Sequence, residues 1–259
     1  MKKDSLGDRM KGYESITQTK LMNRTPVIIR LDGKAFHTFT RGLEKPFDSN
    51  LNIAMVKTMH ALCESIQGAV LAYTQSDEIS ILLQDWATFD TDAWYDNKIQ
   101  KMVSVAASIA TATFNHVYTH PTKQTLALFD ARIFNIPFEE VTNYFVWRQQ
   151  DAVRNSINSL AQANFSHKEL QGLNVSQVQD KLMLEKGINW NDVETRFKRG
   201  VCTATLVELD LVKRVVKTQL YDDFQIPIFT QDRSYVEAAL KLPEEVAKTA
   251  ALLSEPDEE

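Results

Sequence analysis

The sequence predicts an α+β fold, a ferredoxin-like βαββαβ core followed by a C-terminal mixed α/β extension. Two observations carry that prediction. Short stretches rich in β-branched and apolar residues occur at 27–31, 70–74, 79–83 and 126–134, the pattern of buried or half-buried strands. Apolar residues recur at helical spacing near 51–66 and 94–118, between the first and second strands and between the third and fourth. Strand, helix, strand, strand, helix, strand is the order of the split βαβ motif.

Each element has its own signal. Met10, Tyr13 and Ile16 are spaced for a short amphipathic N-terminal helix. Val27, Ile28 and Ile29 open the first strand, and Asp32-Gly33 is the turn that stops it. A loop at 34–46 follows, with Pro46 restricting Lys45. Asp48-Ser49 offers a helix N-cap, Leu51, Met55, Met59 and Leu62 continue the helix, and Gly68 ends it. The hairpin 70–74/79–83 reverses at Ser76-Asp77-Glu78, and a polar connection spans 85–92. A second long helix covers 94–118 and closes at His120-Pro121. After the strand at 126–134, Pro137 begins a third long helix reaching Ala163. Beyond it, Ser166–Glu169 resembles a capping box, 200–206 alternates as a strand, 209–218 is ambiguous, and 224–229 is a short strand interrupted by Pro227. The end of the chain is acidic, a helix fraying into disorder. Residues 1–164 are expected to form the core and 165–259 the extension.

At 259 residues, 44% hydrophobic and 24% charged, the chain has the profile of an ordinary globular protein. No apolar run suits a membrane span, and two distant cysteines, Cys63 and Cys202, supply no disulfide framework, so a cytoplasmic setting is expected. A net charge of −5 argues against bulk electrostatic coating of nucleic acid. Local basic clusters nonetheless stand at Lys2-Lys3, Lys20 with Arg24, Arg196 to Arg199, and Lys213-Arg214 with Lys217. The patterns GxxxxGKS/T, GxGxxG, zinc knuckles and nucleophile elbows are absent.

Chemistry gathers at two acids. If the hairpin pairs beside the first strand, Asp32 and Asp77 reach one edge of the sheet. Beside a backbone carbonyl they form a hard-oxygen site suited to Mg²⁺. The basic stretch Lys34, His37, Arg41, Lys45 lies next to them, as metal–phosphate chemistry requires. Glu78 alternates to the face opposite Asp77 or shares its role. Arg132 in mid-strand is an ion-pair partner or a functional cation. His116 and His120, at helical spacing with no third ligand nearby, are read as structural, and His60 as packing or surface. Trp147 to Asp151 with Arg154, Asn155 and Asn158 forms a polar stripe that faces RNA or a partner subunit.

RLDGKAFHTF at 30–39, KPFDS at 45–49, YTQSDEIS at 73–80, KMVSVAAS at 101–108, FDAR at 129–132, WRQQD at 147–151 and FKRG at 197–200 resemble, in order, the tRNA-His guanylyltransferase family. The resemblance implies a polymerase-type palm that adds nucleotides to the 5′ end of tRNA in the 3′-to-5′ direction. It implies two Mg²⁺ ions held by Asp32, Gly33 and Asp77, with Glu78 among the catalytic group and ATP and GTP as substrates. Lys34, Ala35, Phe36 and His37 match the triphosphate-holding stretch, with Ser76 beside Asp77. Lys45, Asp48 and Ser49 match the region that activates the 5′ end. Lys98 and Lys101 resemble phosphate contacts, and Arg132, Arg154, Asn155, Lys198 and Arg199 are taken as further phosphate or RNA contacts. A homotetramer is implied. Where eukaryotic members carry His-Ile-Asn-Asn after WRQxD, the histidine position here is Val153. That resembles the bacterial and archaeal branch, which favours templated repair of 5′-truncated tRNA. The rival readings are a palm-type nucleotide cyclase acting on free nucleotide and a non-catalytic RNA-binding protein.

Overall fold

β1 (Val27–Gly33) lies between two neighbours in the sheet and divides the core. Its Ile29 and Leu31 enter one apolar cluster and Ile28 enters the other, all without solvent exposure. That is the two-sided burial that a continuous β-branched run encodes. The computed structural model describes residues 5–119, 125–210 and 215–254. Lys2, Lys3, His120, Pro121, Lys213, Arg214 and the last five residues, whose roles the sequence suggested above, lie outside them.

After α1 (Leu6–Ser15), β1 leads through the one-turn α2 (Phe36–Phe39) to α3 (Ser49–Ser65), capped as expected by Asp48, whose Oδ1 accepts the Leu51 N–H at 2.8 Å. β2 (Ala69–Gln75) and β3 (Glu78–Leu83) form the hairpin, α4 (Ile99–Val117) crosses back, and β4 (Phe129–Asn135) closes the core. The sheet order is β4-β1-β3-β2, continued by β5 (Val201–Asp210) and β6 (Val215–Asp223), with every pairing antiparallel. The first four strands have the split βαβ arrangement. α3 and α4 cover one face; α5 (Phe138–Asn164) and α9 (Ser234–Ser254) cover the other.

α5, 27 residues and so about 40 Å long, does two jobs. Val141, Tyr144, Phe145 and Ala152 pack on the sheet, whereas Ile157, Leu160 and Ala161 overhang it and hold α6 (His167–Leu170) and α7 (Val175–Lys186). α8 (Thr195–Arg199) then returns the chain to β5, where Gly200 passes so close to β2 that a Cβ would lie 2.5 Å from the Thr74 carbonyl.

Three elements differ from expectation. Residues 224–229 are not a strand: Asp223 Oδ1 accepts the Gln225 N–H at 2.8 Å, turning the chain, and Pro227 has no N–H to pair. The strand lies earlier, as β6, across the stretch whose pattern was ambiguous. The helix expected over 94–118 begins at Ile99, because Tyr95, Asp96 and Asn97 are left-handed. α9 runs to Ser254, well into the stretch expected to fray. Among the described residues no helix is long and apolar enough to cross a membrane.

Candidate active site

The β2–β3 turn is two residues, Ser76 and Asp77, with Ser76 in the left-handed region (φ 51°). The Asp77 carbonyl accepts the Gly33 N–H at 3.0 Å, bolting the hairpin tip to the end of β1. Asp32 sits in register opposite Glu78 on one side and Asp130 on the other. Asp32 and Asp77 thus meet at one edge of the sheet although 45 positions separate them in the chain.

Asp77 is buried near a second carboxylate, and Asp32 has one cation beside it. Burial pushes the Asp77 carboxyl above its ordinary pKa, the Ser76 hydroxyl at 3.0 Å opposes that, and the charge of Asp32 adds to it. Arg132 stands 3.7 Å from Asp32 Oδ2 and 3.4 Å from Asp130, so it does have an ion-pair role within the site. Two carboxylates and the adjoining main-chain carbonyls make a hard-oxygen donor set with a local excess of negative charge, which fits Mg²⁺. Among the described residues no group of three His, Cys, Asp or Glu side chains forms a metal cluster, so carbonyl oxygen has to complete such a site.

Glu78 is placed differently. It is 5% exposed and lies between Arg30 Nη2 at 2.7 Å and Arg148 Nε at 2.8 Å, while Arg148 also holds Asp151 at 2.7 Å. Burial raises its pKa and the two guanidiniums oppose that rise. Trp147 lies under both arginines, at 5.8 and 4.1 Å.

The stretch after β1 is shaped by Phe36. Its ring packs on Phe39, Phe114 and Phe129, and a Cβ on Gly33 would lie 2.2 Å from it, so only glycine fits there. The Lys34 N–H bonds to the Leu128 carbonyl at 2.8 Å, Ala35 is left-handed, and His37 is exposed with Nε2 3.0 Å from Thr38 Oγ1. Phe36 therefore has only its backbone to offer a ligand.

Beside the hairpin tip a cleft of about 140 Å³ runs between the start of α3, α5 and α8, lined by Pro46, Asp48, Ser76, Asn155 and Arg196 among others. Phe47 and Phe197 stack across it, 4.9 Å apart and 7° from parallel. Both Asp48 oxygens accept backbone N–H groups, from Leu51 and from Glu44, so its first task is to hold the α3 entry. Arg196 reaches Ser49 Oγ at 3.5 Å, and Lys45 is exposed on the loop before α3.

The family model for tRNA(His) guanylyltransferase matches residues 7–137. A tRNA(His) guanylyltransferase of Debaryomyces hansenii is 30% identical over 202 residues, covering 70% of this chain and 73% of that protein. The chain belongs to this family. It is a nucleotidyltransferase. An uncharacterized protein of Acanthamoeba polyphaga mimivirus is 28% identical over 255 residues, 88% of this chain and 87% of its own. A bacterial tRNA(His) guanylyltransferase-like protein, solved in complex with ATP, is 48% identical with a TM-score of 0.82 over 91% of this chain and 98% of that one. A bacterial protein of the same description in complex with GTP is 45% identical, with a TM-score of 0.79 over 92% and 99%.

Other residues that the family resemblance singles out are dispersed. Lys98 and Lys101 stand at the opposite end of the sheet, with Arg24, Asp85 and Tyr95 around a cavity of about 670 Å³. Val27 and Asp32 are five steps apart on β1, roughly 17 Å, and the two lysines lie off the Val27 end. Lys98 lies 3.8 Å from Asp96, and Lys101 lies 4.5 Å over the Tyr95 ring. Arg154 pairs with Asp151, and Asn155 donates to the same carboxylate at 3.4 Å. Arg199 donates to the Ile226 carbonyl at 3.1 Å, a structural tie, and Lys198 to the Asn191 carbonyl. Sequence reasoning missed Arg30 and Arg148 as the clamp on Glu78, and the Phe47–Phe197 stack. Each arginine stands out singly, Arg30 two positions from Asp32 on β1 and Arg148 at the end of an apolar stretch of helix, but nothing local ties either to Glu78.

Proposed function

We propose that this nucleotidyltransferase adds nucleotides to the 5′ end of tRNA in the 3′-to-5′ direction, chiefly as template-dependent repair of 5′-truncated tRNA. Addition of G to tRNA-His lies within the same chemistry. The observation that carries the reading is the backbone-bolted approach of Asp32 and Asp77, with Asp77 perturbed by burial and by its neighbour's charge. Val153 at the position of the eukaryotic histidine supports repair over obligatory G addition. So does the 45–48% identity to the bacterial guanylyltransferase-like proteins, whose structures hold ATP and GTP.

Asp32, Asp77 and the Gly33 carbonyl would hold two Mg²⁺ ions. When bound, these supply an acidified nucleotide 3′-hydroxyl and neutralise triphosphate charge. A 5′-monophosphate is first adenylylated, its oxygen bonding to the α-phosphorus of ATP as pyrophosphate leaves. The 3′-hydroxyl oxygen of the incoming nucleotide then bonds to the RNA 5′ phosphorus, its proton passes to solvent, and AMP leaves. From a 5′-triphosphate, pyrophosphate leaves directly. Ser76 orients the Asp77 carboxylate through its 3.0 Å hydrogen bond. Arg132 sets Asp32 from the β4 side. Lys34, His37 and the backbone of Ala35 and Phe36 receive the triphosphate, and Lys45 with Ser49 attends the 5′ end at the cleft mouth. Glu78 orders Arg30 and Arg148 rather than touching the reacting atoms. Partners are tRNA, nucleoside triphosphates and further copies of the chain in a tetramer, in the cytoplasm.

The test is incubation of a tRNA lacking its 5′ nucleotide with each nucleoside triphosphate separately. Incorporation of only the nucleotide complementary to the opposing base is expected, with Asp32→Ala and Asp77→Ala inactive. G addition whatever the opposing base, or near wild-type activity of either variant in Mg²⁺, would overturn the reading.

A further inference from the structure

We infer that the slot beside Trp190 binds one unpaired nucleobase from the single-stranded 3′ extension of the RNA substrate. The inference rests on the tRNA reading above. The slot encloses about 290 Å³ between α5 and the segments around 190 and 228. Its floor and one wall are apolar: Val153, the Trp190 ring, and Ile228, a 38% exposed aliphatic side chain. The indole N–H donates to Ser156 Oγ at 3.1 Å, and the ring packs on the α5–α7 cluster, so its plane is set before any ligand arrives. A pre-set aromatic face is what stacking on a base needs.

The rim carries cations. Lys198 and Arg199 line the slot, and among the described residues neither has a carboxylate within salt-bridge distance; both spend one N–H on a backbone carbonyl. Lys198 Nζ stands over the Trp190 ring, 5.7 Å from its centroid. Burial and then the neighbouring Arg199 charge lower its pKa, and the more distant Asp192 carboxylate only partly opposes them. An aromatic face with apolar and amide neighbours and two cations that lack a salt-bridged carboxylate suits a base with its phosphate better than an apolar peptide, which would leave that charge unanswered.

Position supplies the rest. α8 is one turn long: Arg196 and Phe197 line the cleft beside Ser76, and Lys198 and Arg199 line the slot. The two openings are therefore separated by about the 10 Å width of a helix. A strand whose partner's 5′ end lies at Asp32 and Asp77 continues past that end unpaired, and its next bases come within reach of Trp190.

The probe is an RNA hairpin with a single-stranded 3′ overhang carrying 2-aminopurine, against the same hairpin without the overhang. On the wild-type chain, quenching of 2-aminopurine at one overhang position is expected, and deletion of the overhang should weaken binding on the order of tenfold. Trp190→Ala should abolish the quenching and remove the overhang dependence. Should Trp190→Ala fail to fold, Val153→Trp fills the slot instead and should have the same effect. Lys198→Ala should flatten the salt dependence of overhang binding by roughly 0.7 in logarithmic slope. Quenching unchanged in the slot variants, or a wild-type affinity indifferent to the overhang, would overturn the inference. Because binding is read without turnover, a chain that binds the overhang but adds no nucleotide would sink the repair reading and leave the slot standing.

Discussion

Asp77 and Glu78 are sequence neighbours with opposite obligations. Burial raises the Asp77 pKa, so the folded state holds that proton more tightly than the unfolded chain. Its contribution to stability is fullest below the ordinary carboxylate range and is lost as pH rises from there through the raised folded value. Asp77→Asn should therefore unfold at a higher temperature than the wild type at neutral pH without Mg²⁺. It should lose activity on the order of a hundredfold or more. Thermal melts with and without Mg²⁺ check this: the wild type should gain stability from the ion and the variant should not. The Glu78 pKa is raised by burial too, but its substitution has the opposite effect on stability. Glu78→Ala leaves Arg30 and Arg148 without their carboxylate in a buried setting and should cost about 3–5 kcal/mol, read by denaturant unfolding. A Glu78→Ala chain as stable as the wild type would contradict a clamping role.

At the scale of elements, the turn after β1 is set by one contact, the Phe36 ring over Gly33. Gly33→Ala must displace that ring from its aromatic cluster or bend the strand end away from Asp77. Overpacking of this kind costs about 1–3 kcal/mol, and nucleotide addition should fall with it. Elements whose stability comes from their own pattern were legible in the sequence. The β1 run, the β2–β3 hairpin, the Asp48 cap and the core strand order all stand where the residues pointed. β6 was not, because its partner β5 is supplied by a hairpin whose alternation is weak, while 224–229 mimics a strand and is broken by Pro227. The clamp was hidden for a related reason. Arg30 and Arg148 are 118 positions apart, and no local pattern joins them to Glu78. The meeting of Asp32 with Asp77, by contrast, follows directly once the hairpin is laid beside the first strand.

Across the whole molecule, two groups of charged side chains stand at opposite ends of one sheet. Lys98, Lys101 and Arg24 gather at the start of β1; Asp32 and Asp77 gather at its finish. A lysine at that end is placed to meet the backbone of a long RNA whose 5′ end lies at the carboxylates. Lys101→Ala should raise KM for tRNA, reduce the salt dependence of tRNA binding by about 0.9 in slope, and leave KM for the nucleoside triphosphate unchanged. The opposite pattern in steady-state kinetics would place that lysine at the nucleotide. Beyond the core, His60 on α3 meets Asp222 of β6 at 3.0 Å, and Thr203 of β5 donates to the same oxygen at 2.7 Å, fastening the added strands to the helix beneath.

The hydrogen bond from the Gly33 amide to the Asp77 carbonyl belongs to the main chain and so does not depend on the Asp77 carboxylate. An enzyme silenced by trimming Asp77 keeps its jaws aligned. It can be used as bait, holding RNA and nucleotide together unreacted for long enough to be crystallised or frozen for imaging.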